Sequence, residues 1–211
     1  MAFPSVYEMT NPLTTVRKQH FWEYFSGATL NSRWTQRNVT LTGTFGISDS
    51  VDDGMFISTN SSVTSIQHLD FNEIRPFSNV GSVFIGVAKR VTATSESAVR
   101  IGLWDLITDG TGNKALSMNR TDETNYKLET SNAGTQSSSN TDTPIPIDTN
   151  WHVHKIETST PNVKLTMDGI LEVTKTTDKP ATNLMPVLQV AGWSGAGVRT
   201  MNCRYVECYN T

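Results

Sequence analysis

Cysteine is scarce in this chain, with two residues, Cys203 and Cys208, among 211. They stand in one alternating run, Met201 to Tyr209. In a strand rising about 3.3 Å per residue, their Cα atoms lie about 16 Å apart on opposite faces, beyond the ~7 Å a disulfide spans. Free thiols are expected, and a disulfide-stapled fold is excluded. Long apolar runs are also missing. No window of about 18 apolar residues exists, so no helical membrane span is expected. An excess of either charge is lacking as well: the net charge is −3, with 8 basic and 9 acidic residues up to Asp105 and 9 and 11 after it. Phosphate neutralisation needs a concentrated Lys/Arg surface, so no nucleic-acid partner is expected. The opening MAFPSVYEMTNPLTTVRKQHFW has no apolar core of a secretory leader, which sets the expectation of cytoplasmic synthesis.

Several catalytic signatures are absent too. There is no Gly-x-Ser-x-Gly elbow; Gly192-Trp193-Ser194-Gly195 misses it by one residue. Gly110-Thr111-Gly112-Asn113-Lys114 has glycines and a lysine but no helical pattern after it to hold a phosphate. Of the four histidines, His20, His68, His152 and His154, only the last two share a strand face. Without a third ligand they read as surface or edge packing, not as a metal site. Asp49, Asp52 and Asp53 offer a few hard oxygens, yet calcium takes six to eight, and a turn explains them more simply. The pairs Asp122/Glu123 and Asp105/Asp109 likewise sit in or beside turns. Neither a metal nor another cofactor is expected.

What is present is alternation. Asp168-Gly169 separates Val163–Met167 from Ile170–Thr174, and Asp-Gly tolerates the positive φ angles of a two-residue hairpin turn. Trp151 to Thr158 alternates before them and ends at Thr160-Pro161-Asn162, so three strands form a meander. Further strands are expected at Phe21–Phe25, Val39–Thr42, Thr44–Ser48, Met55–Thr59, Ser62–Leu69, Ser82–Val91, Ala98–Trp104, Ala115–Asn119, Asn125–Thr130, Val187–Ala191 and Met201–Tyr209. Ser131 to Thr143 is polar and of low complexity, and is expected to be a loop. Residues 1–20 carry Pro4 and Pro12 with no sustained period and read as an extended arm. Residues 21–211 read as one all-β domain, a two-sheet antiparallel sandwich of the jelly-roll kind.

The order of these features resembles the concanavalin A-like lectin/glucanase superfamily. Phe25, Leu30 and Trp34 are similar to its opening F-x-x-x-x-L-x-x-x-W, and Asp53-Gly54-Met55-Phe56-Ile57-Ser58-Thr59 to its D-G-x-L-x-L-x-T strand. Val163, Leu165, Asp168, Gly169 and Leu171 match V-x-L-x-x-D-G-x-L, and Tyr205 to Tyr209 closes the pattern. The resemblance covers residues 21–209 and implies a fold that hosts glycosidases, lectins, laminin G modules and virion proteins. Its hydrolases, of the laminarinase type, carry E-x-D-x-x-E on one strand, which places two acids in one cleft. This chain has no such run, and no catalytic residues are expected. The acidic metal loop of the legume lectins is missing as well. What the resemblance then implies is binding: an aromatic platform with polar loop-rim residues, here Trp193, Trp104, Asp105 and Asn113, with a glycan as the ligand. The arm and the low-charge surface rich in Ser, Thr and Asn fit a non-enzymatic module of a virus particle. Its expected location is a virion or extracellular surface, with other subunits as partners held through the arm. A soluble carbohydrate-binding protein is the alternative, and a glycoside hydrolase of the laminarinase type a less favoured one.

Overall fold

The structure is a computed structural model that describes residues 19–26, 29–47, 54–62, 64–91, 97–106, 112–120, 124–132, 135–136, 141–192 and 197–211. Among these residues there is no helix, and sixteen strands form. In chain order they are β1 (His20–Tyr24), β2 (Thr35–Thr40), β3 (Thr44–Ile47), β4 (Met55–Ser58), β5 (Ile66–Asp70), β6 (Ser82–Arg90), β7 (Ser97–Trp104) and β8 (Lys114–Arg120). There follow β9 (Asn125–Asn132), β10 (Thr135–Gln136), β11 (Thr141–Pro146), β12 (His152–Thr158), β13 (Val163–Met167), β14 (Ile170–Lys175), β15 (Met185–Gly192) and β16 (Thr200–Asn210). Sheet I has the order β14-β13-β12-β6-β16-β4-β3, with β1 also on β16; sheet II has the order β10-β9-β8-β7-β15-β5-β2, with β11 also on β9. All pairings are antiparallel. Asp49, Asp52, Asp53 and Trp193 lie outside the described residues.

Period-two alternation decides what each sheet gives to the core. Sheet I turns inward Phe84, Ile156, Leu165, Met55 and Ile57; sheet II answers with Ile101, Leu103, Leu128, Leu188 and Leu69, all buried. Fully burying a side chain of this size is worth roughly 1.5–3 kcal/mol, so these layers dominate stability. One end is closed by aromatic rings. Phe21 meets Phe71 at 4.8 Å and Trp34 at 5.6 Å between centroids, and Trp34 meets Phe71 at 4.9 Å, all edge to face. Asp168 and Gly169 have φ of 50° and 85°, the left-handed pair that the hairpin turn requires.

Three expectations are corrected. Cys203 and Cys208 do not face opposite sides. The β16–β6 register shifts between Cys203 and Tyr205, and this bulge brings Val206 and Cys208 into phase with Met201 and Cys203, so all four are buried. Ser131 to Thr143 is not simply a loop. β9 extends to Asn132, Thr135–Gln136 pairs back on it, and Thr141–Pro146 forms a further strand against it. Backbone pairing at a sheet edge needs no apolar side chains, and an edge tolerates the missing N–H groups of Pro144 and Pro146. The strand expected at Val39–Thr42 is Thr35–Thr40, a polar edge strand with no fully buried side chain and therefore no alternating signal.

Both thiols are free. Burial pushes the Cys203 thiol up to about 12, and that of Cys208 well above its usual value. Ellman's reagent is expected to titrate no thiol in the native protein and two per chain after unfolding in guanidinium. One thiol reactive in the native state would contradict the inward phase set by the bulge.

Candidate functional site

The outer face of sheet II, away from the core, is built by the other parity of the same strands. Register places Arg100 opposite Gln189, Gln189 opposite His68, Trp104 opposite Lys114, and Leu116 opposite Glu129. An outer face would ordinarily be wet, yet Arg100 and Glu129 are each 2% exposed and Lys114, Gln189, His68 and Trp104 are 0% exposed. Glu129 is gripped from two sides: Arg100 Nε donates to its Oε2 at 3.0 Å and Lys114 Nζ lies 2.5 Å from its Oε1. Burial alone would raise the Glu129 pKa, but the two cations win and hold it below the usual carboxylate range. Arg100 is further fixed by Gln189, whose Oε1 accepts from its guanidinium at 2.6 Å. Toward β2, Arg37 Nε reaches the buried Asp70 at 3.2 Å.

Carboxylates on this face are few and occupied. No strand among the described residues carries more than one Asp or Glu. Asp70 and Glu129 are separated by four inter-strand spacings, about 19 Å at ~4.8 Å each, whereas glycosidase acids stand about 5–9.5 Å apart. Asp142 lies nearer, opposite Lys127 on the neighbouring strand, and is ion-paired to it at 3.2 Å, while Glu129 reaches the other way toward β8 and β7. A general acid needs a raised pKa, and the Glu129 shift has the opposite sign.

Trp104, Asp105 and Asn113 do come together, at one end of this face, but as buried groups. Asp105 Oδ1 accepts from the Asn113 backbone N–H at 2.8 Å, and its Oδ2 accepts from Asn113 Nδ2 and from Thr182 Oγ1, both at 2.7 Å. Asn113 Oδ1 in turn accepts from Ala181 N–H at 2.7 Å. The four residues clasp the β7–β8 connection to the segment before β15. Gly112 is required there: its φ is 126°, and a Cβ would stand 2.6 Å from Asp105 Oδ1. Trp104 is wholly buried with its indole N–H unpartnered. Trp193, the remaining expected ligand residue, is outside the described residues.

The sequence reading missed the carboxylates around His152. His152 and His154 share the inward face of β12, not a surface or an outer edge. His152 Nδ1 lies 2.6 Å from Asp168 Oδ2, and its Nε2 3.0 Å from Asp148 Oδ1. Asp168 is the hairpin-turn residue itself, so a signal read only as a turn also anchors a histidine. Burial works against the charged imidazole, but the hydrogen bonds to Asp168 and Asp148 prevail and raise the His152 pKa. His154 donates to or accepts from Ser117 Oγ at 2.8 Å across the core, and both rings pack on Tyr126. Among the described residues no group of three or more His, Cys, Asp or Glu is placed to hold a metal ion.

No family model matches the chain, and no curated protein matches it significantly. Solved structures do. The β-glucanase of Bacillus licheniformis matches with a TM-score of 0.66 at 13% identity, over 91% of this chain and 98% of that one. An immunostimulatory antigen and pseudo β-1,3-glucanase of Mycobacterium tuberculosis matches at 0.63 and 12%, over 90% and 98%. A protein of unknown function from Shewanella oneidensis matches at 0.66 and 12%, over 96% and 90%. At such identities the likeness establishes the fold: the two sheets form a concanavalin A-like jelly roll.

Burial pushes the pKa values of His68 and His154 down to about 3, helped by Arg100 and Arg37 near the first and His152 near the second. Both are neutral when folded, so their contribution is complete above the unfolded value of about 6.5 and is lost as pH falls toward 3, at about 1.4 kcal/mol per pH unit each. Glu23, raised to about 7 by burial, and Asp70, also raised by burial, offset part of that loss. His152 has the opposite sign: its contribution is present below about 6.5 and is lost as pH rises through its elevated folded value. Unfolding free energies from urea titrations at pH 4.5 to 6.5 are expected to show a shallower pH dependence in His154→Gln than in the wild type, by roughly 1 kcal/mol per unit on average. Parallel curves would refute a neutral buried His154.

Proposed function

We propose that this chain is a non-catalytic interaction module of a larger assembly, of the kind that decorates or builds a virus particle. The observation that carries the first half is the ion-paired outer face of sheet II. No described strand bears two carboxylates, and Glu129, buried on that face, is locked between Arg100 and Lys114. Hydrolysis of a glycosidic bond needs one protonated and one ionised carboxyl flanking an open cleft.

The outer face of sheet I supports the second half. One cross-strand row reads Val153, Val87, Tyr205, Tyr24 across β12, β6, β16 and β1. Its two ends are exposed, Val153 at 40% and Tyr24 at 46%, and Ile170 and Leu171 continue the apolar surface at the hairpin beyond. An antiparallel sheet facing only water alternates to polar residues on that side, whereas β6 is apolar at both parities, with Phe84 and Ala88 inward and Val83, Ile85 and Val87 outward. Contiguous exposed apolar surface of this kind marks protein contact. Residues 1–18 precede β1 at the edge of this sheet and give the arm through which subunits are tied.

Native mass spectrometry tests the proposal. The full chain is expected to be a homo-oligomer, and both deletion of residues 1–18, which leaves β1 intact, and Val153→Glu should convert it to monomer. A wild-type monomer that binds a glycan, with binding lost in Trp193→Ala, would instead make it a free carbohydrate-binding protein.

A further inference from the structure

Among the described residues, the buried polar atoms left over on the outer face of sheet II are all donors. Arg100 uses its guanidinium on Gln189 Oε1, so the other end of that amide, Nε2, faces His68 Nε2. An amide nitrogen only donates, hence His68 Nε2 accepts, and the neutral ring carries its proton on Nδ1. That Nδ1 has no partner. Trp104 Nε1, which can only donate, has none either. Lys114 has three N–H bonds, and Glu129 Oε1 is the acceptor that its ammonium meets. The three groups gather round one indole: the His68 and Trp104 rings are 5.6 Å apart, and Lys114 Nζ is 5.1 Å from the Trp104 ring centre. All three side chains are wholly buried.

Buried donors without acceptors are rare in folded proteins, and each calls for an explanation. Two of them in one neighbourhood, His68 Nδ1 and Trp104 Nε1, beside a buried ammonium with N–H bonds beyond the one that meets Glu129, call for an acceptor carrying negative charge. A water molecule can accept two hydrogen bonds but must then place two protons of its own, and Glu129, the nearby carboxylate, already meets a cation at each oxygen. We infer that the cluster around Trp104 binds a small oxyanion, a carboxylate, sulfate or phosphate group, held by Trp104 Nε1, His68 Nδ1 and Lys114 Nζ. The inference stands whether or not the chain joins an assembly. Because the donors are buried, entry requires local opening and exchange is slow.

The test is titration of the ¹⁵N-labelled protein with sodium sulfate, sodium phosphate and sodium glucuronate, each balanced with sodium chloride to constant ionic strength and fully equilibrated. The indole N–H signal of Trp104, identified by its loss in Trp104→Phe, is expected to move saturably with at least one of them. Trp104→Phe and His68→Leu should each weaken that anion at least tenfold, read from the saturable rise of the melting temperature. Tighter binding of glucuronate than of either inorganic ion, with no response to glucose, would assign the group to a sugar acid; the reverse order would assign it to a free inorganic ion. A Trp104 signal unmoved by all three anions would overturn the inference. So would a melting temperature that climbs linearly with salt and equally in the variants, which is the general stabilisation that excluded anions give any protein. The wild-type indole titration decides the matter even if a variant fails to fold.

Discussion

Glu129 held between Arg100 and Lys114 is the constraint on which the account turns. Burying a carboxylate is costly, and the surrounding cations must compensate it closely for the sheet to form at all. Once they do, the acid has no freedom left: its two oxygens are occupied, its pKa is lowered, and the strands that carry its partners are fixed relative to β9. The outer face of sheet II thus carries a polar layer shut away from water. On the proposed reading, the chemistry of that layer is to hold, by donating hydrogen bonds.

Sheet I depends on a different device. β16 pairs with β6 along one side and with β4 and then β1 along the other, so it must serve three neighbours with one run of side chains. The bulge between Cys203 and Tyr205 makes this workable. It keeps Met201, Cys203, Val206 and Cys208 in the core and so commits Tyr205 to the outer row with Val87, Val153 and Tyr24. The inward face thereby satisfies the sandwich, and the outward apolar row is a by-product of the same register. The two outer faces thus differ in kind: one is an internal polar network, the other carries an apolar row facing outward.

Much of the fold was legible in the sequence because it rests on local patterns. The Asp168-Gly169 hairpin, the meander before it and the closing strand all follow from alternation and turn chemistry. What escaped was set by pairing partners. A bulge has no signature in a run such as Met201 to Tyr209, so the phase of Cys208 was misread. Edge strands such as β2 and β11 bury little, and the sequence reading had no periodicity to find there. The site was less legible still. Arg100, Glu129 and Lys114 lie on three different strands and meet only through register, and Asp105 and Asn113, which resemble loop-rim ligands in the sequence, are joined to each other and to Thr182. The partnership of Asp168 with His152 was equally hidden, since a turn residue discloses nothing of what its carboxylate touches.

The central claim is that Glu129 is a structural ion-pair partner and not a catalytic acid, and Glu129→Gln tests it most directly. Removing one member of a buried pair strands two cations, so urea unfolding is expected to show a loss of about 3–5 kcal/mol, while the wild-type protein releases no reducing sugar from β-1,3-glucan. A variant as stable as the wild type, which has lost a hydrolysis that the wild type performs, would contradict it.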